Sequence, residues 1–175
     1  MSNLAAQIRQ VLALFACHGT APALIGGLAV VAHQVIRATK DVDFLLEAEA
    51  ADRVHQALLQ LGYQCLYRSE DAANYVRGTE GLDFLYAHRP LARRLLEQAV
   101  ERETPMGRLR VISVEGLIGF KLQGYVNDPR RTRDLDDIRA LVQRHHATLN
   151  LAELREYFAL FQQEEFFREL FHGSP

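Results

Sequence analysis

Residues 37–47 read RATKDVDFLLE, and this stretch places two acidic side chains in a run otherwise typical of a buried strand. Val42 and Phe44 favour a pleated, packed conformation, whereas Asp is depleted in strands. Side chains two apart on a strand share a face, so we expect Asp41 and Asp43 on one face, with their Cα atoms roughly 6.6 Å apart. Carboxylates at that spacing repel each other, and a bound divalent cation would remove the repulsion.

A third acid lies in an equivalent setting, because residues 81–85 read GLDFL with Asp83 at the centre of an apolar strand. If the two strands are neighbours, Asp83 joins Asp41 and Asp43 in an oxygen-rich site suited to Mg²⁺. No cluster of Cys or His lies nearby, which argues against zinc. A lone D-x-D more often caps a turn or pairs with Arg or Lys, but the second acidic strand favours the metal site.

A glycine pair, Gly26 and Gly27, follows the short apolar run at residues 23–25 and precedes a predicted helix. The first backbone N–H groups of a helix have no intrahelical partner and can bind phosphate oxygens. Glycine lets a triphosphate approach the backbone closely, although a glycine pair is equally a device for a tight turn. The pair lies one helix and a short loop before Asp41, and this context favours phosphate binding.

Periodicity predicts strands and helices in mixed order along the chain. Strands are predicted at residues 23–25, 41–46, 64–68, 74–77, 82–87 and 109–112. Helices are predicted at residues 3–17, 28–34, 50–61, 91–100, 114–125, 134–144 and 151–171. The fold class is therefore α+β, with a mixed sheet packed against helices and a helical segment at the C-terminus.

The composition and net charge of the chain restrict the classes of function that it can have. The chain has 175 residues, 49% of them hydrophobic and 24% charged, which suits one globular domain. A formal net charge of −2 argues against nonspecific nucleic-acid binding as the main role, although the arginines within 89–94 and 130–133 could contact phosphates or form a solvated face. Cys17 and Cys65 lack metal-type spacing, which favours a reducing, cytoplasmic setting. We expect no membrane association, since no apolar run approaches about 20 residues and no secretory leader is recognisable.

Four stretches together resemble the nucleotidyltransferase superfamily that includes DNA polymerase beta, in particular its small prokaryotic branch related to abortive-infection toxins and minimal nucleotidyltransferases. They are IGG at 25–27, RATKDVDF at 37–44, LDFL at 82–85 and GFKLQGYVNDPRRTRDLDDI at 119–138. The family motif is a strand ending in Gly-Gly or Gly-Ser, about a dozen residues, two acids on one strand and a third on a later strand. Thirteen residues separate Gly27 from Asp41. The resemblance spans roughly residues 20–140 and does not include the C-terminal helix. We expect a nucleotidyltransferase core at 1–128 and a C-terminal helical extension packed on it at 129–175.

The resemblance implies an enzyme in which Asp41, Asp43 and Asp83 bind two Mg²⁺ ions and Gly26 and Gly27 hold the phosphates of an NTP co-substrate. A hydroxyl group would attack the α-phosphate and expel pyrophosphate. Two such ions, about 3.5 to 4 Å apart, can clamp both the attacking and the leaving oxygen.

The resemblance also implies site roles for five further residues. Lys121 would be a catalytic point charge facing the triphosphate, and Asp134, Asp137, Arg37 and Thr39 would help to bind the nucleotide. Each has an alternative: Lys121 could be a surface lysine, and Arg37 could pair with an acid. Asp134 and Asp137, three apart at a helix start, could cap that helix and complement its dipole.

One departure from the family concerns Gly27, where many active members have a Ser whose hydroxyl contacts phosphate.

The aromatic segment at 154–171 either packs on its own domain or forms a surface for a partner.

The sequence therefore predicts a Mg²⁺-dependent transfer of NMP to a hydroxyl acceptor: a tRNA 3′ end, a protein side chain or a small molecule such as an antibiotic. The family branch favours a toxin–antitoxin or phage-defence role, with a second copy or a cognate antitoxin or toxin as partner. The alternative is a noncatalytic nucleotide-binding or antitoxin-like module on the same fold. Retention of three mutually repelling acids favours the enzyme.

Overall fold

A seven-stranded mixed sheet lies at the centre of the computed structural model, which describes residues 3–104 and 106–172. The strands are β1 (Ala23–Ile25), β2 (Val42–Glu47), β3 (Gln64–Arg68), β4 (Ala72–Arg77), β5 (Glu80–Ala87), β6 (Val100–Thr104) and β7 (Gly107–Val111). Their order across the sheet is β3-β4-β5-β2-β1-β7-β6. The pairs β2–β5 and β1–β7 are parallel, and the remaining neighbours are antiparallel.

Eight helices of the described chain surround this sheet. They are α1 (Asn3–Cys17), α2 (Gly26–Ala32), α3 (Ala51–Gln60), α4 (Pro90–Glu97), α5 (Val114–Asn127), α6 (Thr132–His145), α7 (Leu151–Leu160) and α8 (Glu164–His172), with one 3₁₀ turn at Ala48–Ala50 before α3. The predicted α+β class, with a mixed sheet followed by C-terminal helices, is confirmed.

The central strand β2 is buried on both faces, because Phe44, Leu45 and Leu46 are each at most 1% exposed. On one face, the Phe44 ring meets Phe15 of α1 edge-on at 5.1 Å and stacks with Phe84 of β5 at 6.1 Å between ring centroids. The opposite face contacts α2 and α4. Since side chains alternate along a strand, Asp43 lies on this second face, with Leu45 two residues further on.

The C-terminal segment differs from the prediction of one continuous helix over 151–171. It forms α7 and α8, and the chain turns between them at Gln162, which adopts a left-handed conformation with φ 56°. The turn brings Phe167 of α8 to 5.4 Å from Phe158 of α7, between ring centroids. Both side chains are buried at 5% or less, so folding the helix back covers an apolar arc too wide for one helix face. This aromatic segment packs on its own chain.

Two other elements were placed wrongly from the sequence. The sequence pattern does not predict strand β6, and its first residue, Val100, falls at the end of the helix predicted at 91–100. The strand's sequence, VERET, is charged and largely exposed at the sheet edge. Charged, exposed edge strands lack the apolar alternation that reveals other strands. Helix α2 begins at Gly26 rather than at Leu28, so the glycine pair is the first turn of the helix.

The predicted boundary at residue 128 falls between α5 and α6, two helices in direct contact. The division into a core and a C-terminal extension stays a prediction. Within residues 3–104 and 106–172, the structure contains no helix with the length and apolar character to cross a bilayer.

Candidate active site

Asp43 and Asp83 face each other across two parallel strands at the centre of the sheet. They are register partners in the β2–β5 pair, and both side chains are partly buried. The sequence expectation that the two acidic strands are neighbours therefore holds. Asn74 of β4 is the register partner of Asp83 on its other side, and its Nδ2 donates a hydrogen bond of 2.8 Å to Asp83 Oδ1.

Burial and mutual repulsion make these carboxylates harder to ionise. Burial, reinforced by the charge of Asp83, raises the pKa of Asp43 from 3.8 to about 6, although the positive charge of Lys121 opposes the rise. Burial also raises the pKa of Asp83, which the hydrogen bond from Asn74 partly offsets. Among the described residues, neither carboxylate forms an ion pair with a basic side chain, so each is poorly compensated when ionised.

Asp41 lies on the same face of the sheet but at its solvent edge. It is exposed and precedes the first residue of β2, opposite Gly81. A Cβ on Gly81 would lie 2.5 Å from Asp41 Oδ1, so the glycine leaves room for this carboxylate. In the described part of the chain, no three or more His, Cys, Asp or Glu side chains converge closely enough to hold a metal ion. The structure therefore brings Asp43 and Asp83 together, with Asp41 beside them rather than converging on one point.

The two glycines at the start of α2 allow side chains to lie directly against the backbone. Gly26 has φ +63°, and a Cβ there would be 2.0 Å from Asp43 Oδ2. A Cβ on Gly27 would be 1.6 Å from Nη1 of Arg37. The backbone N–H of Gly27 is also directed at the Asp43 carboxylate and lowers its pKa. The glycine pair therefore leaves room for the side chains of Asp43 and Arg37 against the backbone.

Arg37 and Thr39 lie in the loop between α2 and β2, over Gly27. Nε of Arg37 is 3.0 Å from Asp137 Oδ1, so the arginine does pair with an acid. Thr39 Oγ1 would be 2.8 Å from a Cβ on Gly27 and is 3.4 Å from the carbonyl oxygen of Asp41. Both residues precede β2, and their predicted part in nucleotide binding stays a prediction.

Lys121 is the centre of a buried ion network, not a surface lysine. It is 6% exposed, and its Nζ lies 2.8 Å from both Asp134 Oδ1 and Asp137 Oδ2, which are 3% and 5% exposed. Arg131 extends the network, with Nε 2.6 Å from Asp134 Oδ2. The residue before α6 is Arg131, whose side chain makes no capping hydrogen bond, so the two acids are counter-ions of Lys121 rather than parts of a capping box.

Three cations and two carboxylates make up this network, because Arg37 pairs with Asp137 and Arg131 with Asp134. Its formal net charge is one positive unit. Lys121 itself is surrounded by carboxylates, and the side chain of Arg131, which is 57% exposed, is the more accessible cation.

Asp43, Asp83, Asn74, Lys121 and Arg131 all line one cleft that encloses a cavity of about 220 Å³. Sequence reasoning missed Asn74 and assigned no specific role to Arg131. The arginine cluster at 130–133 was a signal for Arg131. Nothing in the sequence indicated Asn74, because its role depends on strand register.

A mixed sheet with a carboxylate pair at its centre and a glycine turn beside it is the arrangement expected of a nucleotidyltransferase. The chain belongs to the family described as uncharacterised nucleotidyltransferase, whose model matches residues 2–172. The resemblance to the nucleotidyltransferase superfamily is thus confirmed. No curated protein matches the chain.

Solved structures of an antibiotic-resistance factor and of an antibiotic adenylyltransferase have the same fold as this chain. The antibiotic-resistance factor ANT(2'')-Ia in solution is 18% identical with a TM-score of 0.72, covering 97% of this chain and 96% of that one. Its crystal structure in complex with adenylyl-2''-tobramycin is 17% identical with a TM-score of 0.68, covering 94% and 99%. The lincosamide antibiotic adenylyltransferase LnuA, bound to lincomycin, is 19% identical with a TM-score of 0.59, covering 81% and 96%.

Proposed function

We propose that this enzyme transfers NMP from an NTP to a hydroxyl group of a small molecule, with Mg²⁺ bound at Asp43 and Asp83 and with Asp41 at the edge of the metal site. The observation that carries the proposal is the partly buried pair of register partners, Asp43 and Asp83, without basic ion-pair partners among the described residues. Retaining two such carboxylates costs stability unless a cation neutralises them.

The donor set suits magnesium. Carboxylate oxygens are hard ligands, and Mg²⁺ is typically bound by one or two carboxylates together with substrate phosphates. Bound Mg²⁺ would neutralise the oxygens of the α-phosphate and lower the pKa of the attacking hydroxyl. The pair supports one ion directly, and a second ion, as the family motif implies, would draw its remaining ligands from the triphosphate and Asp41.

The chain's own cations would hold the triphosphate. Arg37 lies against Gly27, and Arg131 lines the cleft. Helix α2 has only seven residues, and the Gly27 N–H is already directed at Asp43. The attraction for phosphate would therefore come mainly from the two guanidinium groups, which bind phosphate oxygens in charge-assisted hydrogen bonds.

Lys121 takes a different role from the one its sequence motif suggests. It would fix Asp134 and Asp137, which in turn orient Arg131 and Arg37. Its charge also favours the ionised form of Asp43. Lys121 thus acts as a positioning residue, behind the arginines that touch substrate.

In the transfer, a bond forms between the acceptor oxygen and the α-phosphorus, and the bond from the α-phosphorus to the bridging oxygen breaks. Pyrophosphate leaves with the bonding electrons, and the hydroxyl proton passes to solvent. The likeness to a protein in complex with adenylyl-2''-tobramycin and to a lincosamide antibiotic adenylyltransferase supports a small-molecule acceptor over tRNA or a protein side chain. The toxin–antitoxin role and the cytoplasmic location stay predictions.

Transfer of label from each α-³²P-labelled NTP tests the proposal. The purified protein is incubated with Mg²⁺ and a panel of small-molecule alcohols, tRNA or cell extract. We expect a labelled product that is lost in Asp43→Asn and Asp83→Asn and retained in Asp136→Asn, a matched change at an exposed aspartate of α6. Nucleotide binding without transfer to any acceptor, or transfer that survives Asp43→Asn, would contradict it.

A further inference from the structure

A second cavity lies directly beside the catalytic cleft. It encloses about 380 Å³ between α4, α5 and α7, and Phe120 of α5 forms a wall of both cavities. This volume falls within the range of about 300 to 1,000 Å³ that small-molecule sites occupy, whereas the catalytic cavity falls below it. The neighbouring cavity can therefore receive a substrate body that the cleft cannot.

The walls of this cavity are apolar and carry no negative charge. Leu91, Leu95, Leu160 and Phe161 are among the lining residues, and Arg89 is the charged group among those described. None of those lining residues is Asp or Glu. A ligand with several ammonium groups would find no counter-ion in this cavity. A hydrocarbon body would bind favourably there, because its apolar surface would be removed from water.

Glycines of α5 set the shape of this cavity. Gly116 and Gly119 lie one turn apart and both line it. A Cβ on Gly116 would be 2.6 Å from Leu95 Cδ2, and a Cβ on Gly119 would be 3.2 Å from the ring of Tyr157. Their absent side chains allow α4 and α7 to approach α5, and they leave the floor of the cavity open.

The cavity lies on the side opposite to the proposed position of the triphosphate at Arg37. Ile25 pairs with Asp43, so Gly26 lies beside the start of β2, together with Arg37. The cavity lies towards the other end of the parallel strands, because α4 follows the end of β5 within three residues. The cleft itself extends in that direction to Leu85, two residues beyond Asp83. In phosphoryl transfer, attacking and leaving oxygens are roughly in line. With pyrophosphate held near Arg37, the attacking hydroxyl enters from the side of this cavity.

We infer that the cavity between α4, α5 and α7 binds the acceptor, and that the acceptor is an alcohol with an apolar body and no cluster of positive charges. The inference rests on the proposed nucleotidyl transfer. The expected acceptor therefore differs from a ligand that carries several ammonium groups.

Filling the cavity tests the inference by binding alone. The probe is 4-phenyl-1-butanol, with its dissociation constant measured by saturation-transfer NMR on the full chain. Ala92→Trp places an indole in the cavity, and Leu160→Arg adds charge at a side chain that is 62% exposed, so it leaves the core intact. Ala152→Trp is the matched control, at an exposed position of α7 away from the cavity.

We expect the alcohol to bind wild type and Ala152→Trp alike, and to bind Ala92→Trp and Leu160→Arg at least about tenfold more weakly. Binding of Mg²⁺·ATP, measured separately, should be unchanged in all three variants. Unchanged alcohol binding in both cavity variants overturns the inference, as does weakened ATP binding, which would assign the cavity to the nucleotide base. Tighter binding of tobramycin than of the alcohol would also overturn it.

The two proposals fail in distinguishable ways. If no acceptor is labelled but the alcohol still binds in the cavity, nucleotidyl transfer is refuted and the binding site remains. If transfer to an acceptor from cell extract proceeds equally well in Ala92→Trp, the proposed function stands and the acceptor cavity is refuted.

Discussion

Replacing Asp43 with Asn should stabilise the protein in the absence of metal while abolishing its activity. The pKa of Asp43 is raised from 3.8 to about 6, chiefly by burial and by the charge of Asp83. Because one pKa unit corresponds to about 1.4 kcal/mol, the ionised carboxylate costs the folded state about 3 kcal/mol. The neutral amide has nearly the same shape, and its oxygen can accept the hydrogen bond from the Gly27 N–H, so it avoids this cost.

The stabilising effect of Asp43→Asn should depend on pH, because the pKa of Asp43 is higher in the folded state than in the unfolded state. A folded pKa above the unfolded one means that the folded state binds more protons between pH 4 and pH 6, so wild type loses stability as pH rises through that window. Well above pH 6 Asp43 is ionised in both states and the cost is complete; well below pH 4 it is protonated in both and the cost disappears. The stability difference between Asp43→Asn and wild type should therefore be about 0.5 kcal/mol at pH 4 and about 3 kcal/mol at pH 8, the latter corresponding to roughly 6 to 12 °C in Tm.

Urea unfolding in EDTA at pH 4, 6 and 8 measures this difference, with Asp136→Asn as the exposed control. Mg²⁺ with NTP should then stabilise wild type more than Asp43→Asn, because only the carboxylate is neutralised by the ion. An Asp43→Asn protein that is less stable than wild type at pH 8, or a difference that does not change between pH 4 and pH 8, would refute the reasoning.

Three further predictions concern the residues around this pair. Gly26→Ala forces a Cβ to within 2.0 Å of the Asp43 carboxylate and should lower the free energy of unfolding in urea by more than about 2 kcal/mol, whereas Gly78→Ala, at nearly the same φ with open space around it, should lower it by about 1 kcal/mol. Equal losses would show that only backbone strain matters. Lys121→Met leaves two buried carboxylates without their shared cation and should lower the free energy of unfolding by about 3 to 5 kcal/mol, against less than about 0.5 kcal/mol for the exposed Lys40→Met. A folded Lys121→Met protein with wild-type stability would argue against the network. Arg131→Ala should raise the Kd for Mg²⁺·NTP about tenfold in a calorimetric titration, while Arg130→Ala, 91% exposed and paired with Asp128, should leave it unchanged; equal effects of the two would indicate only a general loss of positive charge.

The centre of the site could be predicted because it depends on local patterns. Period-two alternation placed Asp43 on a strand and the same pattern placed Asp83 on another, and parallel pairing in register then brought them together. The glycine turn was recognisable as well, although its observed contacts are with Asp43 and Arg37.

The rest depends on contacts between segments distant in sequence. Asn74 reaches Asp83 only because of the β4–β5 register, which no local pattern encodes. Lysine is rarely buried, so the position of Lys121 between two carboxylates could be recognised only after α6 was docked on α5. The turn at Gln162 uses a left-handed conformation without glycine, and it left no signal in the sequence.

Binding of Mn²⁺ as a substitute for Mg²⁺ tests the central claim most directly, because it asks whether the buried carboxylate pair is a cation site. Electron paramagnetic resonance at pH 7.5 counts free Mn²⁺ during a titration of wild type, Asp43→Asn, Asp83→Asn and Asp136→Asn. We expect wild type and Asp136→Asn to bind Mn²⁺, Mg²⁺ to displace it, and Asp43→Asn and Asp83→Asn to bind it at least about tenfold more weakly. Equal binding by all four proteins would contradict it.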